Sequence, residues 1–157
     1  MSLLDLIFSR PTLTSSDLVP LYSNIDKYAG MGVTHALFAN EPNGGGQANM
    51  PASSGCELWT QQFEQLRYKV PGIQLGSASP DGAPSGKQWL IDFEKQCPQN
   101  HADFITLHWY DVTYQNFQEH VLDYATTFGR KLWITEYACQ NFNGGAQCDW
   151  NYVQNEL

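Results

Sequence analysis

From residue 33 to residue 43 the sequence reads VTHALFANEPN, and this stretch governs how the rest of the chain is interpreted. Its first part, Val33 to Asn40, is a mostly apolar run of about strand length. Glu41 and Pro42 follow at once, and a proline cannot continue a central strand. The stretch therefore predicts a buried strand that ends at a carboxylate.

Other apolar runs of similar length bring the predicted strands to about five. In order, the runs are Asp17 to Tyr22, Val33 to Asn40, Ile73 to Ser79, Asp103 to Tyr110 and Lys131 to Ala138. The first run is the weakest, because Pro20 interrupts it and a proline cannot donate to a sheet ladder.

Segments with helical spacing lie between these runs. Pro51 suits the first position of a helix, Thr113 suits a helix cap, and Gly129 suits a helix end. Apolar residues recur three or four positions apart in three stripes: Ala52, Cys56, Trp59, Phe63 and Leu66; Trp89, Leu90, Phe93 and Cys97; and Phe117, Val121, Tyr124 and Phe128. The stretch Ser23 to Met31 is too short and too close to glycines to predict a helix.

Strands that alternate with helices predict an α/β fold with a parallel sheet. An open doubly wound sheet and a (β/α)8 TIM barrel are both consistent with this order. In both architectures, ligands bind at the carboxyl ends of the strands. Glu41 follows the second predicted strand and Glu136 lies near the end of the fifth, so both are expected at that edge.

Two facing carboxylates are what hydrolysis of a glycosidic bond requires. One protonates the leaving oxygen, and the other attacks the anomeric carbon or activates a water molecule. A lone glutamate at a strand end is more often solvated or ion-paired than catalytic. Two at equivalent strand ends, one of them inside Asn40-Glu41-Pro42, favour catalysis and make Glu41 and Glu136 candidate catalytic residues.

The acidic composition narrows the choice of partner. The chain of 157 residues carries 8 basic and 16 acidic side chains, a net charge of −8. Nucleic acid is not expected as a partner, because phosphate binding needs clusters of Lys and Arg. A membrane is not expected either, since no apolar run approaches the roughly 18 residues of a span. We expect a neutral ligand, a monomer, no metal and no organic cofactor.

The cysteines admit two interpretations. They are Cys56, Cys97, Cys139 and Cys148, and none belongs to a C-x-x-C pair, so a zinc site is not expected. Cys139 and Cys148 bracket a glycine-containing loop, which suits a disulfide, and Cys56 and Cys97 lie on successive predicted helices and could pair. The alternative is four buried thiols.

Several motifs, in this order, resemble glycoside hydrolase family 128, the group of fungal and bacterial endo-β-1,3-glucanases that includes the Asl1-like glycosyl hydrolase catalytic domain. They are FANEPN at 38–43, QANM at 47–50, Trp59, Gly86 with Trp89-Leu90, DFI at 103–105 with HWY at 108–110, and WITEYA at 133–138. The resemblance runs from about Leu18 to Cys148. It implies a retaining hydrolase of β-glucan in which Glu41 is the acid/base and Glu136 the nucleophile.

The resemblance also implies roles beside the glutamates. Asn40 would hydrogen-bond the 2-hydroxyl of the sugar at the point of cleavage. His108 and Tyr110 share strand parity and are expected to face the cleft. An equally weighted alternative is that His108 is a hydrogen-bonded residue of the barrel. Asn49, in the glycine-rich loop after the strand of Glu41, is expected to contact the ligand.

Trp109 and Trp133 are candidate sugar platforms, although strand alternation predicts that neither side chain points into the cleft. In a regular strand Trp109 points away from the face of its neighbours, and Trp133 lies on the face opposite Glu136 and is expected to pack against helices. Trp59 and Trp89 lie on helical stripes, which favours a place in the core.

A complete barrel has eight strands and roughly 250 residues, more than this chain offers. In the family, Val33 to Asn40 would be strand four and Lys131 to Ala138 strand seven, so the five runs resemble strands three to seven. We therefore expect residues 1–16 to be an uncertain N-terminal segment and residues 17–157 to be part of a catalytic domain, an incomplete barrel.

Location and activity follow from the resemblance alone. An extracellular or cell-wall location is expected from the family, although residues 1–16 lack the basic start of a signal peptide. Two other functions stay open: a non-catalytic β-glucan-binding or cell-wall protein, and a hydrolase of the same clan that acts on another β-glycan.

Overall fold

The computed structural model describes residues 23–99, 102–142, 144–145 and 148. In chain order its elements are α1 (Ile25–Gly30), β1 (His35–Leu37), α2 (Ala52–Gln61), a 3-10 turn (Phe63–Gln65), α3 (Leu66–Lys69), β2 (Gln74–Gly76), α4 (Pro84–Gln96), β3 (Ile105–Asp111), α5 (Tyr114–Phe128) and β4 (Leu132–Cys139). The predicted strand Asp17 to Tyr22 lies outside the described residues.

The described strands are parallel and follow one another in chain order. β1 pairs with β2, and β3 pairs with β4, each in parallel register. Parallel bridges at Gly76 to Phe104 and at Asn40 to Ser79 extend this pairing. The predicted α/β fold with a parallel sheet is confirmed for these strands.

Side-chain hydroxyls replace part of the ladder between β2 and β3. The Thr106 backbone N–H donates to Ser77 Oγ at 2.9 Å, and Thr106 Oγ1 donates to the Ser77 carbonyl at 2.7 Å. Both residues are fully buried. Because buried backbone groups need partners, these two bonds keep the strands adjacent where regular pairing stops.

The helix ends follow the predicted signals. The Thr113 side chain accepts a bond from the Asn116 N–H and caps α5, and Gly129 ends the same helix in the left-handed region at φ 60°. Pro51 lies one position before the first residue of α2, as its cap. The stretch around α1 is helical after all, although its length and flanking glycines did not predict a helix.

The first apolar stripe is divided between three short elements. The chain leaves the helical region at Gln62, with φ −131° and ψ −59°, and resumes as the 3-10 turn and α3. This break lets Phe63 and Leu66 reach the same core as Trp59, and all three side chains are fully buried. Phe38 joins them from the end of β1, with ring centroids 5.3 Å from Trp59 and 5.1 Å from Phe63.

Trp89 is buried against the loop that follows β1. Its Nε1 donates to the Met50 carbonyl at 2.7 Å, and its ring stacks on Phe93 at 5.3 Å. Gly55 of α2 is required opposite this ring, because a Cβ there would lie 2.9 Å from two Trp89 carbons. The predicted core positions of Trp59 and Trp89 are confirmed.

The structure places all four cysteines in disulfides. Cys56 of α2 is joined to Cys97, which follows α4, and Cys139 at the end of β4 is joined to Cys148. The first bridge ties two helices on the outside of the sheet, and the second closes the loop after the strand of Glu136. Among the described residues, no helix has the length and apolar character needed to cross a membrane.

Candidate active site

Glu41 stands immediately beyond the carboxyl end of β1 in a strained backbone conformation. Its φ is 40°, a left-handed value that non-glycine residues rarely adopt. Its N–H donates to the Ser79 carbonyl at 2.7 Å, and its own carbonyl accepts from the Gly44 N–H at 2.9 Å. Such strain costs on the order of 1–3 kcal/mol and concentrates at functional sites, so its position at this strand end is itself a functional signal.

A β-bulge in β4 sets the orientation of Glu136. Leu107 pairs with Ile134 and His108 pairs with Glu136, which leaves Thr135 as an extra residue. Thr135 Oγ1 donates to Ser79 Oγ at 3.1 Å and so occupies the inserted position. The bulge therefore sets Glu136 directly beside His108.

The bulge also overturns the predicted orientation of Trp133. Trp133 pairs with Thr106, and Glu136 pairs with His108 two residues later, so Trp133 and Glu136 lie on the same face of the sheet. The prediction of opposite faces is wrong because simple alternation does not allow for an inserted residue. Trp133 packs on the rings of Phe104 and His35, with centroids 4.3 Å and 4.7 Å away, near the amino ends of the strands.

His108 lies between the two glutamates. Its Nδ1 is 3.0 Å from Glu41 Oε1 and 3.5 Å from Glu136 Oε2, and its side chain is fully buried. The Glu41 side chain is 16% exposed and that of Glu136 31%, so both carboxylates reach solvent from a mostly covered position.

Tyr110 holds the second carboxylate from the same strand as His108. Its hydroxyl donates to Glu136 Oε2 at 2.8 Å. Burial, followed by the hydrogen bond to Glu136, raises the pKa of Tyr110 well above its ordinary value of 10.0. The hydroxyl consequently remains protonated and acts as a donor throughout the physiological pH range.

Asn40 presents an acceptor beside Glu41. The residue is 7% exposed, and its Nδ2 donates to Gln47 Oε1 at 3.2 Å. Its Oδ1 is buried and has no hydrogen-bond partner among the described residues. A buried acceptor without a partner is costly, so a ligand hydroxyl is a natural complement at this position.

A cleft of about 860 Å³ opens over these groups. Its described lining consists of Asn40, Glu41, Gln47, Asp81, Gly82, Ala83, Pro84, Tyr110, Asp111, Glu136, Gln140, Asn141 and Phe142. Four of these side chains are carboxylates, the others are neutral, and none is Lys or Arg. The described part of the cleft therefore suits a neutral ligand and disfavours an anionic one.

Four predicted ligand contacts are absent from the described cleft lining. Trp109 is 4% exposed and packs edge-on against Phe117 of α5, with ring centroids 5.1 Å apart. Asn49 is exposed in the loop after Glu41, with φ 42°. Trp133 and the fully buried His108 do not line the cleft either, so roles in sugar binding for these four residues stay predictions.

Several lining residues were missed by sequence reasoning. Asp81 follows β2, Asp111 ends β3, and Gln140 to Phe142 follow β4. Their common signal is position, because each lies at or just past the carboxyl end of a parallel strand. Searching every such end for polar and aromatic residues, instead of searching for glutamates alone, would have found them.

Glu41, His108 and Glu136 are also the described residues that could hold a metal ion. One nitrogen and two carboxylate oxygens, one from each residue, lie within 4.8 Å of one another. The same cluster is accounted for by the hydrogen bond between His108 Nδ1 and Glu41 Oε1 and by the charge-pair distance of 3.5 Å from Nδ1 to Glu136 Oε2. The cluster therefore needs no ion to explain it.

Comparison with known proteins identifies the class to which this fold and site belong. Residues 11–155 match the family described as glycosyl hydrolase catalytic core, and the chain belongs to that family. The chain is also 33% identical over 82 residues to alkali-sensitive linkage protein 1 of Schizosaccharomyces pombe, a match that covers 50% of this chain and 15% of that protein.

The solved structures that resemble this chain include members of glycoside hydrolase family 128. A GH128 subgroup I endo-β-1,3-glucanase from Amycolatopsis mediterranei, in complex with laminaritriose, is 27% identical with a TM-score of 0.66, covering 84% of this chain and 54% of that one. A GH128 subgroup VII oligosaccharide-binding protein from Trichoderma gamsii has a TM-score of 0.68 at 20% identity, covering 94% and 65%, and shows the fold alone. The predicted resemblance to family 128 is confirmed, and the chain spans about half the length of the first of these structures.

Proposed function

We propose that this chain carries the catalytic pair of a retaining glycoside hydrolase that cleaves β-1,3-glucan, with Glu41 as acid/base and Glu136 as nucleophile. The observation that carries the proposal is the meeting of two strand-end carboxylates at one buried imidazole. Family membership supports the reaction class, and the similarity to a laminaritriose-bound glucanase supports the substrate.

The spacing of the carboxylates supports retention over inversion. An oxygen of Glu41 and an oxygen of Glu136 lie within 4.8 Å of each other. Retaining enzymes hold their carboxyl groups about 5–5.5 Å apart, whereas inverting enzymes leave about 6.5–9.5 Å for a water molecule. The distance here joins single oxygens of the two groups, and it lies nearer to the retaining spacing than to the inverting one.

The proposed reaction proceeds by double displacement. Glu136 attacks the anomeric carbon while Glu41 gives its proton to the departing glycosidic oxygen. Glu41 then removes a proton from water, which attacks the same carbon and releases the sugar from Glu136. Tyr110, a neutral donor, orients the nucleophilic carboxylate. Asn40 Oδ1, which has no partner among the described residues, accepts a hydrogen bond from the 2-hydroxyl of the sugar at the point of cleavage.

The same proposal extends to architecture and location. We propose that β1 to β4 correspond to strands four to seven of a (β/α)8 barrel, which would set Glu41 and Glu136 on the strands where such hydrolases carry their catalytic groups. We further propose a neutral β-glucan as the ligand, which the acidic cleft and the laminaritriose-bound relative support, and a monomer located outside the cell or in its wall, as expected from the family.

Hydrolysis of laminaripentaose followed by proton NMR tests the proposal. We expect the β-anomer to appear first, because double displacement retains configuration. Glu136→Gln and Glu41→Gln should each abolish turnover, whereas Glu119→Gln, an exposed glutamate on α5, should leave it unchanged. An α-anomer as first product would refute retention, and unchanged turnover in Glu136→Gln would refute the assignment of the nucleophile.

The second candidate is a non-catalytic binding protein, as the fold similarity to an oligosaccharide-binding protein allows. The presence of both carboxylates at His108 favours hydrolysis. Specific binding of laminaripentaose without any cleavage by the unmodified chain would decide for the binding function.

A further inference from the structure

Phe142 is a large apolar side chain left in solvent at the edge of the cleft. The residue is 69% exposed and belongs to the described cleft lining. Leaving a phenyl ring in water forgoes roughly 1.5–3 kcal/mol that burial would return. An exposed aromatic ring at the wall of an otherwise polar cleft is therefore a candidate contact for a ligand.

The ring packs against a neighbouring side chain, in a segment that a disulfide closes. Phe142 makes an edge contact with Tyr110, with ring centroids 5.3 Å apart at 68°. The segment that carries it is closed by the bridge from Cys139 to Cys148. Since a restrained ring loses little conformational entropy when a ligand arrives, this arrangement favours binding.

The ring also has a defined relation to the nucleophile. Tyr110, which it touches, donates its hydroxyl to Glu136. Phe142 is thus two contacts away from the carboxylate that would attack the anomeric carbon. A sugar unit lying on this ring would be a close neighbour of the unit being cleaved.

We infer that Phe142 is a stacking platform that binds one glucosyl unit of the substrate beside the point of cleavage, an inference that rests on the proposed function. A β-glucosyl ring carries its substituents equatorially, so its faces present C–H groups that fit against the electron-rich face of an aromatic ring. The exposed amide of Gln140 lines the same wall and offers hydrogen bonds to the sugar hydroxyls.

Binding of laminaripentaose, measured by calorimetry in the Glu136→Gln background, tests the platform without consuming the ligand. Phe142→Ala should weaken binding about tenfold, as expected for loss of an aromatic contact. Phe142→Trp should stay within about threefold of the parent, because a flat face is kept. Tyr68→Ala serves as the matched control, since Tyr68 is 80% exposed on α3 and does not line the cleft.

The outcomes separate this inference from the proposed function. Phe142→Ala binding as tightly as its parent would overturn the platform, even if the unmodified chain cleaves laminaripentaose. Weaker binding in Phe142→Ala with recovery in Phe142→Trp would support the platform, even if the unmodified chain cleaves nothing. Equal weakening by Phe142→Ala and Tyr68→Ala would also overturn it, because the effect would not be specific to the cleft.

Discussion

Substitution of Gly86 by alanine should disturb the junction between the cleft and helix α4. A Cβ at this position would lie 2.3 Å from the Asp81 carbonyl oxygen and 2.9 Å from the Pro80 Cβ. Asp81 lines the cleft, and its carbonyl belongs to backbone that cannot rotate away as a side chain would. The first turn of α4 must therefore move outward or the loop before it must yield.

The expected cost follows from two opposing effects. Overpacking of a close contact costs about 1–3 kcal/mol. Alanine in place of glycine within a helix returns roughly 0.5–1 kcal/mol. Because the added Cβ would meet a backbone atom at very close range, the overpacking cost should be about 2–3 kcal/mol, in the upper part of its range. The net loss should then be about 1–2.5 kcal/mol, which corresponds to a melting temperature lowered by about 2–10 °C for a chain of this size.

Thermal and chemical denaturation followed by circular dichroism measure this loss. Gly30→Ala is the matched control, because Gly30 also lies in a helix and an added Cβ there meets nothing within 4 Å. We expect this control to equal or slightly exceed the stability of the parent. A melting temperature of Gly86→Ala within about one degree of the parent's would be smaller than the shift expected for a chain of this size. That result would refute the close approach inferred between α4 and the loop before it.

Three further substitutions test other parts of the structure. Tyr110→Phe removes a hydrogen bond to a charged acceptor, which is worth about 1.5–3 kcal/mol. The value of kcat/KM for laminaripentaose should therefore fall roughly 10- to 100-fold, while circular dichroism shows an unchanged fold. An unaltered kcat/KM would exclude the orienting role of Tyr110. Tyr124→Phe removes a buried hydroxyl without a partner among the described residues, so the free energy of unfolding should not decrease, and a loss above about 1 kcal/mol in urea would contradict that description. Burial raises the pKa of Tyr124 in the folded chain, so the unfolded chain loses this proton at lower pH and the free energy of unfolding falls as pH rises above about 10. This fall should be shallower in Tyr124→Phe, which urea titrations at pH 9 and pH 11 would reveal. Thr113→Ala removes the cap of α5 and should cost about 1 kcal/mol in the same urea titration, and a loss near zero would show that the cap contributes little.

Local signals were enough to locate most elements and the catalytic candidates. Thr113 and Gly129 bound α5 as predicted, because caps depend on a few neighbouring residues. The two glutamates were found from the apolar runs that precede them, since parallel strands share one carboxyl edge. His108 and Tyr110 were expected on one face by alternation, and the structure sets both beside the glutamates.

The alternation of strands and helices, the carboxylates at two strand ends and the residues that cap α5 could all be predicted from local sequence patterns. Long-range packing was needed to establish which face Trp133 occupies, how close Glu41 comes to Glu136, and that Phe142 lies against Tyr110. The physical reason is that periodicity is a local property of a strand, whereas the inserted Thr135 is stabilised by contacts with Ser79 and Leu107 far away in the chain.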